Sequence, residues 1–141
     1  MSIEEENKAL IRRVFELCDK ENSLDAFLDI CDSNYVEHWT DHDESLEEAK
    51  QLILSIPPIL SIPPISDYSL TIDHLLADGD KVAYRVTHRY TIVETGKKIQ
   101  VTNTCIVRIA DGKIMENWVS PDTLHVMQQL GILPPTEEIG K

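Results

Sequence analysis

The sequence predicts an α+β domain, with helices first and an antiparallel sheet after them. Three observations carry this. Up to about residue 54, apolar residues recur at helical spacing. From Tyr68 onward they alternate with polar residues at a period of two. Three hairpin-type dipeptides, Asp78-Gly79, Thr95-Gly96 and Asp111-Gly112, separate the alternating runs.

Ser2-Ile3-Glu4-Glu5 reads as a capping box whose acids favour the helix dipole. Leu10, Val14, Leu17 and Cys18 follow at helical spacing. Ser23 reads as the N-cap of a second helix carrying Leu24, Phe27, Leu28 and Cys31. Asn34 to Asp43 is irregular. Ser45-Leu46-Glu47-Glu48 is another capping box and opens a third helix through about Leu54. Residues 54–59 read Leu-Ser-Ile-Pro-Pro-Ile, and residues 60–65 repeat them letter for letter. Proline fixes φ and removes a donor, so this stretch is neither helix interior nor central strand. It reads as an apolar loop. It is either a flap or partner contact, or a local duplication packed against the domain.

Four strands then form a meander. The first alternates through Tyr68, Leu70, Ile72, His74 and Leu76, and the second through Val82, Tyr84, Val86, His88, Tyr90 and Ile92. The third runs through Ile99, Val101, Asn103, Cys105, Val107 and Ile109, and the last is Ile114 to Val119. Ser120 as N-cap and Pro121 at the first helical position open a final helix, which Gly131 ends. The tail, residues 134–141, is expected to be mobile.

A chain of 141 residues fits a single domain, residues 1–141. Hydrophobic residues are 42% and charged residues 27% of it, a globular balance. The net charge of −12 argues against nucleic acid, whose binding needs a basic stripe, and against an anionic membrane surface. A neutral apolar ligand, or an anion held by one local base, remains compatible. No apolar run reaches the ~18–20 residues of a membrane span. The start, Met-Ser-Ile-Glu-Glu-Glu-Asn, lacks the basic and apolar regions of a signal peptide, so a cytoplasmic protein is expected. Cys18, Cys31 and Cys105 have no metal or redox spacing and read as free thiols in the core. His38 and His42 are four apart beside Asp41 and Asp43, but the stretch is not helical, so no metal site is expected. Phosphate-binding loops and nucleophile elbows are missing.

Several stretches carry a resemblance. Glu6-Asn7-Lys8 to Phe15, Asn34-Tyr35-Val36-Glu37-His38 and Asp78-Gly79-Asp80-Lys81-Val82-Ala83 are three of them. Arg108-Ile109-Ala110-Asp111-Gly112-Lys113-Ile114, Trp118-Val119-Ser120-Pro121-Asp122 and Met127-Gln128-Gln129-Leu130-Gly131 are the others. Over nearly its whole length the chain resembles the SnoaL-like polyketide cyclases of the nuclear-transport-factor-2-like fold. The doubled Leu-Ser-Ile-Pro-Pro-Ile departs from their pattern. The resemblance implies a cone-shaped fold, with N-terminal helices packed on a curved sheet that encloses one pocket for an apolar small molecule. It also implies a homodimer through the sheet. The cyclases close a ring by intramolecular aldol condensation without metal or organic cofactor. Related branches isomerise steroids or open epoxides.

Such chemistry needs a base beside a carbonyl and a group that stabilises the enolate oxygen. The resemblance points to Asp122 as general acid/base, which burial near Trp118 would tune towards neutrality. A helix-terminus aspartate is the alternative. His38 matches the family's pocket histidine, and Tyr35 offers a phenol donor or a core tyrosine. Trp118 reads as a cavity wall. On strand 82–92, hydrophobicity turns Tyr84, Val86, His88 and Tyr90 inward, whereas the resemblance turns Arg85 inward as a pocket residue, with His88 as the reserve. The expected catalytic set is Asp122, His38 and Arg85, with Tyr35, Trp118 and His88 contacting substrate. The function read here is a cofactor-free acid/base enzyme of cyclase or isomerase type. The alternative is a non-catalytic binding protein that carries a lipid-like molecule in the same cavity. A scaffold assembling through its sheet face is a third reading.

Overall fold

The computed structural model describes residues 2–52 and 65–138. All but Ile65 of the doubled Leu-Ser-Ile-Pro-Pro-Ile lies outside the described residues. The first helix, α1 (Ile3–Glu21), is capped as its sequence predicts, with Ser2 Oγ accepting from Glu5 N at 3.1 Å. Its buried stripe is Asn7, Ile11, Val14, Phe15 and Cys18, while Leu17 faces solvent. Asn22 ends α1 in the left-handed region, and its Nδ2 donates to Tyr68 O at 2.7 Å. A short α2 (Asp25–Asp29) follows.

Two expectations fail here for one reason. Cys31 is not helical, and Asn34 to Asp43 is not wholly irregular. Cys31–His38 forms strand β1, and Asp43–Ser45 forms β2. The polar run Asp32-Ser33-Asn34 hides the alternation of β1, and pairing with the sheet supplies what local propensity lacks. The Ser45–Glu48 capping box is reciprocal, at 3.1 and 3.3 Å, and opens α3 (Leu46–Leu52).

The meander is β3 (Ile65–Asp78), β4 (Lys81–Ile92), β5 (Lys98–Ala110) and β6 (Lys113–Pro121). At the β5–β6 turn Asp111 and Gly112 both have positive φ, the type I′ pattern that favours glycine. The final helix starts later than its sequence suggests. Ser120 and Pro121 belong to β6, and Asp122 is the N-cap of α4 (Thr123–Gln129). The tail expected to be mobile is tied at its start, where Gln128 Nε2 donates to Pro134 O and Thr136 Oγ1.

The described strands form one sheet ordered β2-β1-β6-β5-β4-β3. Only β1 and β6 run parallel; the other neighbours are antiparallel. Register breaks in β1, β3 and the β5–β6 pair bend the sheet, as bulges do. Its inner face packs Val82, Tyr84, Val86, Cys105, Val107 and Ile114 against Ile11, Phe15 and Phe27 from α1 and α2. Val126 of α4 closes the far end on Ile99 and Val101. Burying each such aliphatic side chain contributes roughly 1.5–3 kcal/mol. The helices therefore all cover one face, and the polar groups left among them define the site. None of the described helices is long and apolar enough to cross a membrane.

Candidate functional site

Strand alternation decides which side chains reach the interior. On β1, Tyr35 and Glu37 point inward and His38 outward. Glu37 pairs in register with Asn117 of β6, and His38 with Trp118. Inside, Tyr35 OH donates to Glu37 Oε1 at 2.9 Å, and Trp39 Nε1 donates to Glu37 Oε2 at 3.1 Å. Asn117 Nδ2 donates to Tyr84 OH at 3.1 Å, and its Oδ1 is buried without a partner. Glu37 is pushed up to about 7, by burial first and by the neighbouring Glu44 charge, against the Tyr35 and Trp39 hydrogen bonds. Burial also pushes the Tyr35 and Tyr84 phenols upward, so both stay neutral donors. A carboxyl poised near pH 7 in an apolar wall suits proton transfer.

A second polar group lies further along the same face. His88 is buried, with Nδ1 2.6 Å from Tyr68 OH and Nε2 3.3 Å from Asn103 Nδ2. Desolvation lowers it to about 4, so it is neutral at physiological pH. Tyr68 also floors a cleft of about 310 Å³ between the α1–α2 turn and the start of β3.

The structure does not bring the expected catalytic set together. Asp122 is exposed rather than buried, and its Oδ1 accepts from His125 N at 3.2 Å as the α4 cap. His38 faces away from the core. Its ring stacks on Trp118 with centroids 5.1 Å apart, and its nitrogens meet Asp43 at 2.9 Å and Glu116 at 3.1 Å. Trp118 is accordingly no wall of the interior; it lies on the outer face beside His38. Arg85 is exposed on that outer face too, so its expected inward orientation is corrected. Tyr84, Val86 and His88 take the interior instead. The reason is solvation: a guanidinium placed inward would lose its hydration among the apolar side chains that pack against α1. Arg85 and His38 stand three strand spacings apart, roughly 14 Å. Of the expected substrate contacts, Tyr35 and His88 do point inward. The sequence reading missed Glu37, Trp39, Glu44 and Asn117. The available signal was the alternation Tyr35, Glu37 inside Tyr-Val-Glu-His, had that stretch been read as strand.

All three cysteines are free and buried. Burial raises Cys18 and Cys105 to about 11 and Cys31 to about 12, so none is a thiolate nucleophile. No metal-ligating cluster of His, Cys, Asp and Glu occurs among the described residues.

The family model for SnoaL-like polyketide cyclases matches residues 9–130. No curated protein sequence matches the chain. Solved structures share its fold. AclR of Streptomyces galilaeus, a proposed hydroxylase, is 22% identical with a TM-score of 0.78, covering 92% of this chain and 98% of its own. IdmH of Streptomyces antibioticus, a proposed polyketide cyclase, is 22% identical with a TM-score of 0.65, covering 87% and 96%. An LEH-like epoxide hydrolase of M. tuberculosis is 14% identical with a TM-score of 0.65, covering 92% of each chain.

Proposed function

The chain belongs to the SnoaL-like polyketide cyclase family, and from that premise we propose that it is a cofactor-free acid/base enzyme acting on an apolar small molecule. The observation that carries this reading is the Glu37 carboxyl, held at about 7 and oriented by Tyr35 and Trp39. In a cyclisation, Glu37 takes the proton beside a substrate carbonyl and leaves an enolate. The enolate carbon attacks a second carbonyl of the same molecule. Glu37 then returns its proton to the alkoxide so formed, which balances the step. A proposed polyketide cyclase and an LEH-like epoxide hydrolase among the fold relatives are consistent with proton transfer in this architecture.

Asp122 remains a second proposed proton carrier, at the exposed start of α4 rather than in the wall. The test is turnover of a polyketide, steroid and epoxide panel by wild type, Glu37→Gln and Asp122→Asn. Glu37→Gln is expected to lower kcat by about 10²–10⁴-fold with little change in KM. Undiminished turnover in Glu37→Gln removes it as the base. If Asp122→Asn alone is inactive, the base is Asp122. Stoichiometric co-purified ligand with no turnover on any substrate supports the carrier reading instead.

A further inference from the structure

Glu37 and Glu44 face each other directly across the β1–β2 ladder. Like charges in that position destabilise a strand pair, so the pairing needs compensation. Neither carboxylate has a lysine or arginine partner among the described residues. Glu44 is only 4% exposed. What surrounds the pair is a hydrogen-bonded chain to solvent. One indole N–H, Trp39 Nε1, donates to Glu37 Oε2 at 3.1 Å and to Glu44 Oε1 at 3.0 Å. Glu44 Oε2 lies 3.0 Å from His42 Nε2, and His42 Nδ1 lies 2.7 Å from Asp41. The His42 and Trp39 rings are parallel, with centroids 6.0 Å apart. The Trp39 N to His42 O bond, 2.9 Å, fixes the turn that holds them.

We propose that Glu37 and Glu44 form a carboxyl dyad that holds one proton between them, with Trp39 as its clamp and His42 as its link to solvent. The proposal rests on reading Glu37 as the base, and it makes Glu44 and His42 positioning residues. The proton path balances. Glu37 accepts the substrate proton, and the dyad passes one proton from Glu44 to the bare Nε2 of neutral His42. His42 then releases its Nδ1 proton to Asp41 or water, and the same path run in reverse refills the dyad when Glu37 gives a proton to the alkoxide. Two carboxyls in contact cannot both ionise cheaply, which is the physical ground for a shared proton. The single indole N–H shared by both carboxyls and the raised Glu37 agree with it. The other groups facing the pair are Tyr35 and Cys31 from β1, Cys105 from β5 and Asn117 from β6, all neutral. Lys50 of α3 is the cation on that side.

The test needs no substrate. Side-chain carboxyl carbons of the ¹³C-glutamate-labelled full chain are titrated by NMR in wild type, Glu44→Gln and His42→Gln. In wild type, Glu37 should titrate in two steps, as a coupled site does. In Glu44→Gln, which keeps an acceptor for Trp39, Glu37 should titrate in one step about one pH unit lower. In His42→Gln the Glu37 midpoint should move upward, because the protonated form that His42 takes in the lower part of the titration no longer stands beside Glu44. A merely structural role would not shift Glu37 in opposite directions. A single wild-type Glu37 step that neither variant moves overturns the dyad. His42 is half exposed, so that variant remains informative should Glu44→Gln fail to fold. Because turnover is not read, the dyad can stand or fall independently of Glu37 as base.

Discussion

Stability between about pH 4.5 and 6.5 should change little in the wild type, because two buried groups oppose each other there. Burial lowers His88 from 6.5 to about 4. The unfolded chain protonates this imidazole below 6.5 and the folded chain does not, so stability falls as pH drops through that window. Burial raises Glu37 from 4.5 to about 7. Here the folded chain keeps a proton that the unfolded chain has lost, so stability falls as pH rises through 4.5 to 7. At roughly 1.4 kcal/mol per pH unit, each displacement corresponds to about 3 kcal/mol. The perturbation is His88→Gln, which removes one arm and leaves the other. Urea unfolding of both proteins, followed by circular dichroism in pH steps, gives the difference in stability at each pH. Surface groups are common to both proteins and cancel in that difference. The wild type should lose about 3 kcal/mol relative to His88→Gln between pH 6.5 and pH 4. A difference independent of pH would refute the claim that His88 is buried neutral. Glu37→Gln should show the opposite slope, gaining on the wild type as pH rises from 4.5 to 7.

Two further outcomes separate structural from chemical roles. Asp122→Ala should destabilise the protein by about 1 kcal/mol through loss of the α4 cap, while Asp122→Asn should be near neutral, since asparagine caps as well; equal losses measured by urea unfolding would contradict the capping geometry. His38 is raised above 6.5, first by its hydrogen bond to Asp43 and further by Glu116. That stabilisation is present below 6.5 and lost as pH rises through the folded value. Imidazole NMR should show its midpoint falling in Asp43→Asn; an unchanged midpoint would mean the contact does not persist in solution.

Much of the fold was legible because it rests on local rules. The alternating runs of β3 to β6 and the three glycine turns determine a meander whatever surrounds it, and Ser2 and Ser45 set two helix starts through bonds within four residues. The strand β1 was not legible, because Asp32-Ser33-Asn34 has no alternation and its ladder partner, Glu116 to Trp118, lies about eighty residues away. The same long-range pairing explains the errors at the site. The sequence contains Tyr35, Glu37 and His38 side by side, but only the register against Asn117 and Trp118 decides that Glu37 goes in and His38 out. It places Arg85 and His88 on one strand without saying which faces the helices. The cost of desolvating a guanidinium settles that once α1 covers the sheet. The sequence by itself therefore determined the strand periods, the turns and the caps. The tertiary structure decided which face is interior, and with it the burial that moves Glu37 and His88 in opposite directions, because desolvation is a property of the assembled wall and not of any segment.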